Sequence, residues 1–123
     1  MMVDDITDDG IRLLLANRKL LVIGGGSGIG LATAELIAGS SATMAIIDRN
    51  TEALSSTASR LSTHIFSADV TDADSLRSAI DQAANALGGI DGLILTAGIG
   101  SMVPFAELDP MDWEKVIAVN LTG

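Results

Sequence analysis

The stretch Ile23-Gly24-Gly25-Gly26-Ser27-Gly28-Ile29-Gly30 constrains this chain more than any other. An apolar run, Leu20 to Ile23, leads into it, and Ile29, Thr33, Leu36 and Ile37 recur behind it at helical spacing. Strand, glycine turn and helix in that order make a phosphate site. Glycines let the backbone approach a pyrophosphate with no Cβ in the way, and the free N–H groups of the helix start then face the anion. Gly24, Ser27, Gly28, Ile29 and Gly30 are therefore candidate cofactor-binding residues. A glycine string alone also fits a plain tight turn, so context has to decide. Asp48 ends the next apolar run, 18 residues after Gly30, close to the spacing of a carboxylate that holds a ribose hydroxyl.

Two rival phosphate or nucleotide sites can be weighed on the same residues. A Walker-type loop is excluded, because no Lys-Ser/Thr pair follows the glycines. A methyl-donor site also uses a strand, a glycine loop and an acid on the second strand. It calls for an acidic residue just before the first glycine, where this chain has Val22-Ile23. That alternative stays open.

With 123 residues the chain makes at most one domain. It has no cysteine, hence no disulfide framework or thiolate metal site, and its single histidine rules out a histidine-rich metal site; no metal is expected. A net charge of −9 disfavours nucleic acid and anionic membrane surfaces. The first nine residues carry four aspartates, the opposite of a basic signal-peptide start, and no apolar run approaches membrane-spanning length. The expectation is a soluble cytoplasmic protein.

Residues 1–18 read as an N-terminal extension. It begins with an acidic, frayed tail and continues over residues 10–18, whose pattern fits a short helix or a covering strand equally well. Residues 19–123 read as one nucleotide-binding domain. Lys19 to Ile23 is a continuously apolar, buried strand, and a helix runs from Ser27 to about Ala38. Thr43 to Ile47 is the second strand, and Thr51 is the expected N-cap of a helix carrying Leu54, Ala58 and Leu61. His64 to Phe66 is a short third strand. Asp72 or Asp74 caps a helix with Leu76, Ile80, Ala83 or Ala84, and Leu87 on its apolar face, stopped by Gly88-Gly89. Gly92 to Leu95 is the fourth strand, apolar throughout and so expected to be buried on both faces. Thr96-Ala97-Gly98 turns out of it, residues 99–108 form a loop, and Asp109-Pro110 opens a helix carrying Trp113, Val116, Ile117 and Asn120. Alternating strands and helices predict a Rossmann-type, doubly wound parallel α/β sheet in three layers, of order 3-2-1-4 and partial in extent. The ligand crevice belongs at the carboxyl ends of strands 1 and 4, where the order reverses.

In these features the chain strongly resembles the short-chain dehydrogenase/reductase family. Gly24, Gly28, Ile29 and Gly30 match that family's Thr-Gly-x-x-x-Gly-Ile-Gly loop, with Ile23 in place of threonine. Asp48 matches its NAD-selecting acid, and Asp69-Val70 its Asp-Val pair beside the adenine. Thr96-Ala97-Gly98 matches the end of its Asn-Asn-Ala-Gly turn, with Leu95 and Thr96 replacing both asparagines. Residues 119–123 match the segment bearing its catalytic asparagine, which makes Asn120 the candidate catalytic residue. The resemblance implies reversible hydride transfer between NAD and a small alcohol or carbonyl substrate. Family members run to about twice this length. Their catalytic serine, and their tyrosine–lysine pair, lie downstream of the asparagine, and this chain contains no tyrosine. What the resemblance implies here is the cofactor-binding half, incomplete at its C-terminus. A non-catalytic dinucleotide-binding module remains the alternative.

Three positions carry two readings each. Asp69 with Val70 contacts adenine, or Asp69 caps the turn before the next helix. Ala97 and Gly98 admit the cofactor, or form an ordinary strand-end turn. Asp48 holds a ribose hydroxyl, or is merely a solvated strand end; as an acid it disfavours a 2′-phosphate, so NAD is expected over NADP, while the neighbouring base Arg49 keeps NADP open. An unpaired apolar fourth strand beside the Trp113 helix also exposes two liabilities that a two-fold dimer hides together, so a homo-oligomer is expected.

Overall fold

The computed structural model describes Gly10 and residues 14–123. Four strands, β1 (Lys19–Ile23), β2 (Thr43–Asp48), β3 (His64–Ser67) and β4 (Gly92–Leu95), alternate with α1 (Gly28–Ala38), α2 (Thr51–Leu61), α3 (Ala73–Leu87) and α4 (Pro110–Ile117). All pairings are parallel and the order is β3-β2-β1-β4. β1 is therefore central, with Val22 opposite Ile46 on one side and Ile94 on the other. The continuous apolar runs of β1 and β2 follow from this position, since both their faces are covered.

Alternation along the strands sends side chains to two separate cores. Leu21, Ile23, Ala45 and Ile47 pack with Ala79, Ala83 and Leu87 of α3. Leu20, Val22, Met44 and Ile46 pack on the opposite face with Ala34 and Ile37 of α1 and Leu54 of α2. The result is the three-layer αβα sandwich of a Rossmann-type fold.

Several local expectations are corrected, and two left open between neighbours are settled, at Asp72 and at Ala83. Asn50, not Thr51, caps α2: Asn50 is extended at φ −85° and ψ 98°, its side chain accepts from Ala53 N, and Thr51 already lies inside the helix. Asp72, not Asp74, caps α3. The buried stripe of α3 includes Ala79, and Ala83 rather than Ala84. α1 does not bury Ile29, Thr33 and Leu36. It buries Gly30, Ala34 and Ile37, because small residues let the helix lie close to the sheet, and Ile29 is left 79 % exposed. β4 is not buried on both faces: Leu93 and Leu95 are 59 % and 58 % exposed. α3 lies over β2 and β3 and leaves that face of β4 uncovered among the described residues. The loop after β4 contains a short 3₁₀ turn, Phe105–Glu107, and α4 gives way to a π-turn over Ala118–Thr122. Of residues 10–18, Gly10 and Leu14 are helical and 15–17 form a turn, whereas 1–9 and 11–13 lie outside the described residues.

Candidate functional site

The carboxyl ends of β1, β2, β3 and β4 surround a cleft of about 450 Å³ at the point where strand order reverses, within the size range of ligand sites. Its floor is the glycine loop. Gly24 N donates to Ile47 O at 2.8 Å, and Thr96 N donates to Ile23 O at 2.8 Å, so the loop is pinned to both neighbouring strands. The Thr96 hydroxyl adds bonds to Ile23 O at 3.1 Å and Gly24 O at 3.2 Å.

Two glycines are required here for different reasons. Gly24 has φ +89°, and a Cβ on it would stand 2.5 Å from Ala97 N. Gly30 does not line the cleft. It sits beneath, where a Cβ would meet Gly24 O at 2.2 Å and Thr96 Oγ1 at 2.4 Å, so its absence of a side chain lets α1 dock under the loop. Ser27 stands in extended conformation as the N-cap of α1 with no side-chain capping bond. Ser27, Gly28 and Ile29 line the mouth, and the space that a Gly28 Cβ would enter is open to 4 Å. An anion approaching there meets the start of an eleven-residue helix.

Asp48 is held from two sides. Its Oδ2 accepts from Gly26 N at 2.9 Å and its Oδ1 accepts from Asn50 N at 2.9 Å. Asp69 is held by Thr71, whose N–H and hydroxyl both donate to Oδ1, at 2.9 and 2.7 Å. These two bonds hold the Asp69 carboxyl below the usual carboxylate range, burial acts in the opposite direction, and the Arg49 charge adds to the lowering. Arg49 Nη1 lies 3.8 Å from Asp69 Oδ2, a charge contact rather than a hydrogen bond. Asp48, Arg49, Asp69, Val70, Ala97 and Gly98 all line the cleft with the loop.

Asn120 is not among the lining residues. Its Oδ1 accepts from Ile99 N and its Nδ2 donates to Ile99 O, both at 2.9 Å, so it clamps the segment after β4 from behind. Asn50, Ile99, Thr96 and Val119 also line the cleft; Thr96 and Val119 were quoted from sequence only as parts of matched motifs, and Asn50 and Ile99 were not singled out. Asn50 carried a usable signal, as a turn-forming residue two positions after a strand-end acid. Ile99 carried none, and Val119 only its place in the matched segment 119–123. Among the described residues no cluster of His, Cys, Asp or Glu could hold a metal ion, and no helix is long and apolar enough to cross a membrane.

The geometry has close counterparts. Residues 18–123 match the sequence profile of the short chain dehydrogenase family. D-threitol dehydrogenase of Mycolicibacterium smegmatis is 37% identical over 114 residues, covering 89% of this chain and 44% of that protein. 2-(S)-hydroxypropyl-CoM dehydrogenase 3 of Xanthobacter autotrophicus is 36% identical over 114 residues, covering 89% of this chain and 45% of that one. Among solved structures, a short-chain dehydrogenase/reductase (glucose/ribitol dehydrogenase) from Brucella melitensis superposes with a TM-score of 0.82. It is 36% identical, over 88% of this chain and 48% of that chain. The chain thus spans somewhat under half the length of the curated relatives it matches. That family binds nicotinamide dinucleotides, and a glycine loop, a helix start and a strand-end acid meeting at one cleft suit such a cofactor. The chain belongs to the short-chain dehydrogenase family.

Proposed function

We propose that residues 19–123 form the dinucleotide-binding half of an NAD-dependent oxidoreductase, the whole protein moving a hydride between the nicotinamide and a small alcohol or carbonyl. The observation that carries this is the convergence of the glycine loop, the start of α1, Asp48 and the 96–98 turn on one cleft. In this reading the N–H groups at Ser27 to Ile29 hold the pyrophosphate. Asp48 accepts from the adenosine ribose, Asp69 and Val70 border the adenine, and Ala97 and Gly98 leave room at the β4 end. The bound cofactor supplies the redox chemistry, and the protein supplies position and electrostatics. Asn120 would act through the Ile99 clamp, keeping the segment after β4 in place beside the cofactor.

NAD is preferred over NADP because Asp48 is fixed at the cleft by Gly26 and Asn50, and a 2′-phosphate would face its charge. The tyrosine that serves the family as proton donor does not occur in these 123 residues. We therefore assign only cofactor binding to them. A methyl donor is the weaker reading, since Val22 and Ile23 are buried apolar residues where that site calls for an acid. A homo-oligomer is part of the proposal, supported by exposed Leu93, Leu95 and Trp113. So is a cytoplasmic setting, supported by the acidic, cysteine-free composition.

Parallel titrations with NAD, NADP and S-adenosylmethionine test the reading. It expects saturable binding in the order NAD, NADP, with none for the methyl donor.

A further inference from the structure

Three charged side chains stand at the mouth of the cleft, and their arrangement bears on which dinucleotide enters. Among the described residues that line it, Arg49 is the one base, and Asp48 and Asp69 are the acids. Neither acid is free to turn. Asp48 gives one oxygen to Gly26 N and the other to Asn50 N. Asp69 spends Oδ1 on the two Thr71 bonds, which leaves Oδ2 toward Arg49. The more exposed member is Arg49, whose side chain is 59% exposed.

A guanidinium beside the ribose end is the group that would welcome a 2′-phosphate, since arginine binds phosphate in a planar, two-pronged contact. Here its charge is already answered by Asp69. We propose that Asp69 is a positioning residue for cofactor choice: by pairing with Arg49 it keeps the one cationic group that lines the cleft among the described residues from serving a 2′-phosphate. This rests on the dinucleotide reading of the site. It adds to that reading that selection is shared between two carboxylates, Asp48 acting on the phosphate directly and Asp69 acting through Arg49. The pair is solvent-exposed and 3.8 Å apart, so its release should have a modest effect.

The test is a cycle of four proteins, the 123-residue chain and its Asp69→Asn, Arg49→Gln and double variants, each titrated with NAD and with NADP at one ionic strength. Asp69→Asn should raise NADP affinity relative to NAD about two- to fivefold. Adding Arg49→Gln should abolish that rise. Arg49→Gln alone, a surface change that leaves the core untouched, should shift the ratio less than about twofold, because the guanidinium is already engaged. A purely structural loss at Asp69 would weaken both cofactors alike and leave the ratio unmoved, which overturns the proposal. So does a rise that persists without Arg49. So does a large fall in the ratio on Arg49→Gln alone, since that would mean Arg49 already serves the phosphate. If the unaltered chain binds neither dinucleotide, the cofactor reading itself falls and takes this inference with it. That outcome is read on the unaltered protein before any variant.

Discussion

The backbone N–H of buried Gly26 donates to Asp48 Oδ2 at 2.9 Å, so the acid that ends β2 also braces the glycine loop. From sequence, Asp48→Ala is expected to weaken NAD binding and leave the fold intact. The bond to Gly26 adds a structural consequence, because the alanine leaves a buried donor without a partner. That should destabilise the domain by about 1–3 kcal/mol, as well as weaken NAD. Asp48→Asn keeps one acceptor and should unfold closer to the parent while narrowing the preference for NAD over NADP. Urea unfolding with paired titrations separates the two effects. An Asp48→Ala protein with parental stability would show that the brace contributes nothing.

Gly30→Ala should be more damaging than Gly28→Ala. The Gly30 Cβ would lie 2.2 Å from Gly24 O, and relieving that contact must push α1 off the loop. Overpacking of this kind costs about 1–3 kcal/mol and should also distort the cleft floor. At Gly28, φ is +54° but no atom lies within 4 Å of the new Cβ, so the change meets only the left-handed backbone penalty of about 1–2 kcal/mol. Melting both variants checks the ranking, and equal stabilities would contradict it.

Acid titration should single out Asp69. Thr71 lowers its pKa in the folded chain, so its stabilising contribution is complete above the unfolded carboxylate value of about 3.9 and fades as pH falls through the lower folded value. The stability gap between the parent and Asp69→Asn should therefore shrink as pH drops below about 4. A gap that is flat across that range would mean the Thr71 bonds do not distinguish charged from neutral Asp69.

The exposed side of β4 predicts self-association. Leu93 and Leu95 project from an edge strand, and Phe105, Met111 and Trp113 are exposed in the segment that follows. Light scattering at micromolar concentration should find dimers or larger species of the 123-residue chain. A monomer of 12.6 kDa with a cooperative melt would contradict this.

The fold was legible because β1, β2 and the glycine loop follow local rules: continuous apolar runs, a glycine turn, and an acid at the next strand end. α1 misled because Ile29 and Leu36 look like a core stripe, whereas close docking on the sheet selects Gly30 and Ala34 instead. β4 misled for a related reason. Its apolar run implies two covered faces, but which face is covered depends on where α3 lies, and no local pattern encodes that. At the site, candidate residues far apart in sequence fall on one cleft because the parallel order brings four strand ends together. The hydrogen bonds that hold Asp48 to Gly26 and Asn120 to Ile99 were not legible, since each joins segments 21 or 22 residues apart through backbone groups that every residue type carries.

Direct titration of the 123-residue chain with NAD, against S-adenosylmethionine as control, tests the central claim. Saturable binding of one NAD per chain is expected, weakened about tenfold or more by Asp48→Ala, as befits a lost hydrogen bond to a charged group, with no binding of the methyl donor. A folded chain that fails to bind NAD, or that binds the methyl donor in its place, would contradict it.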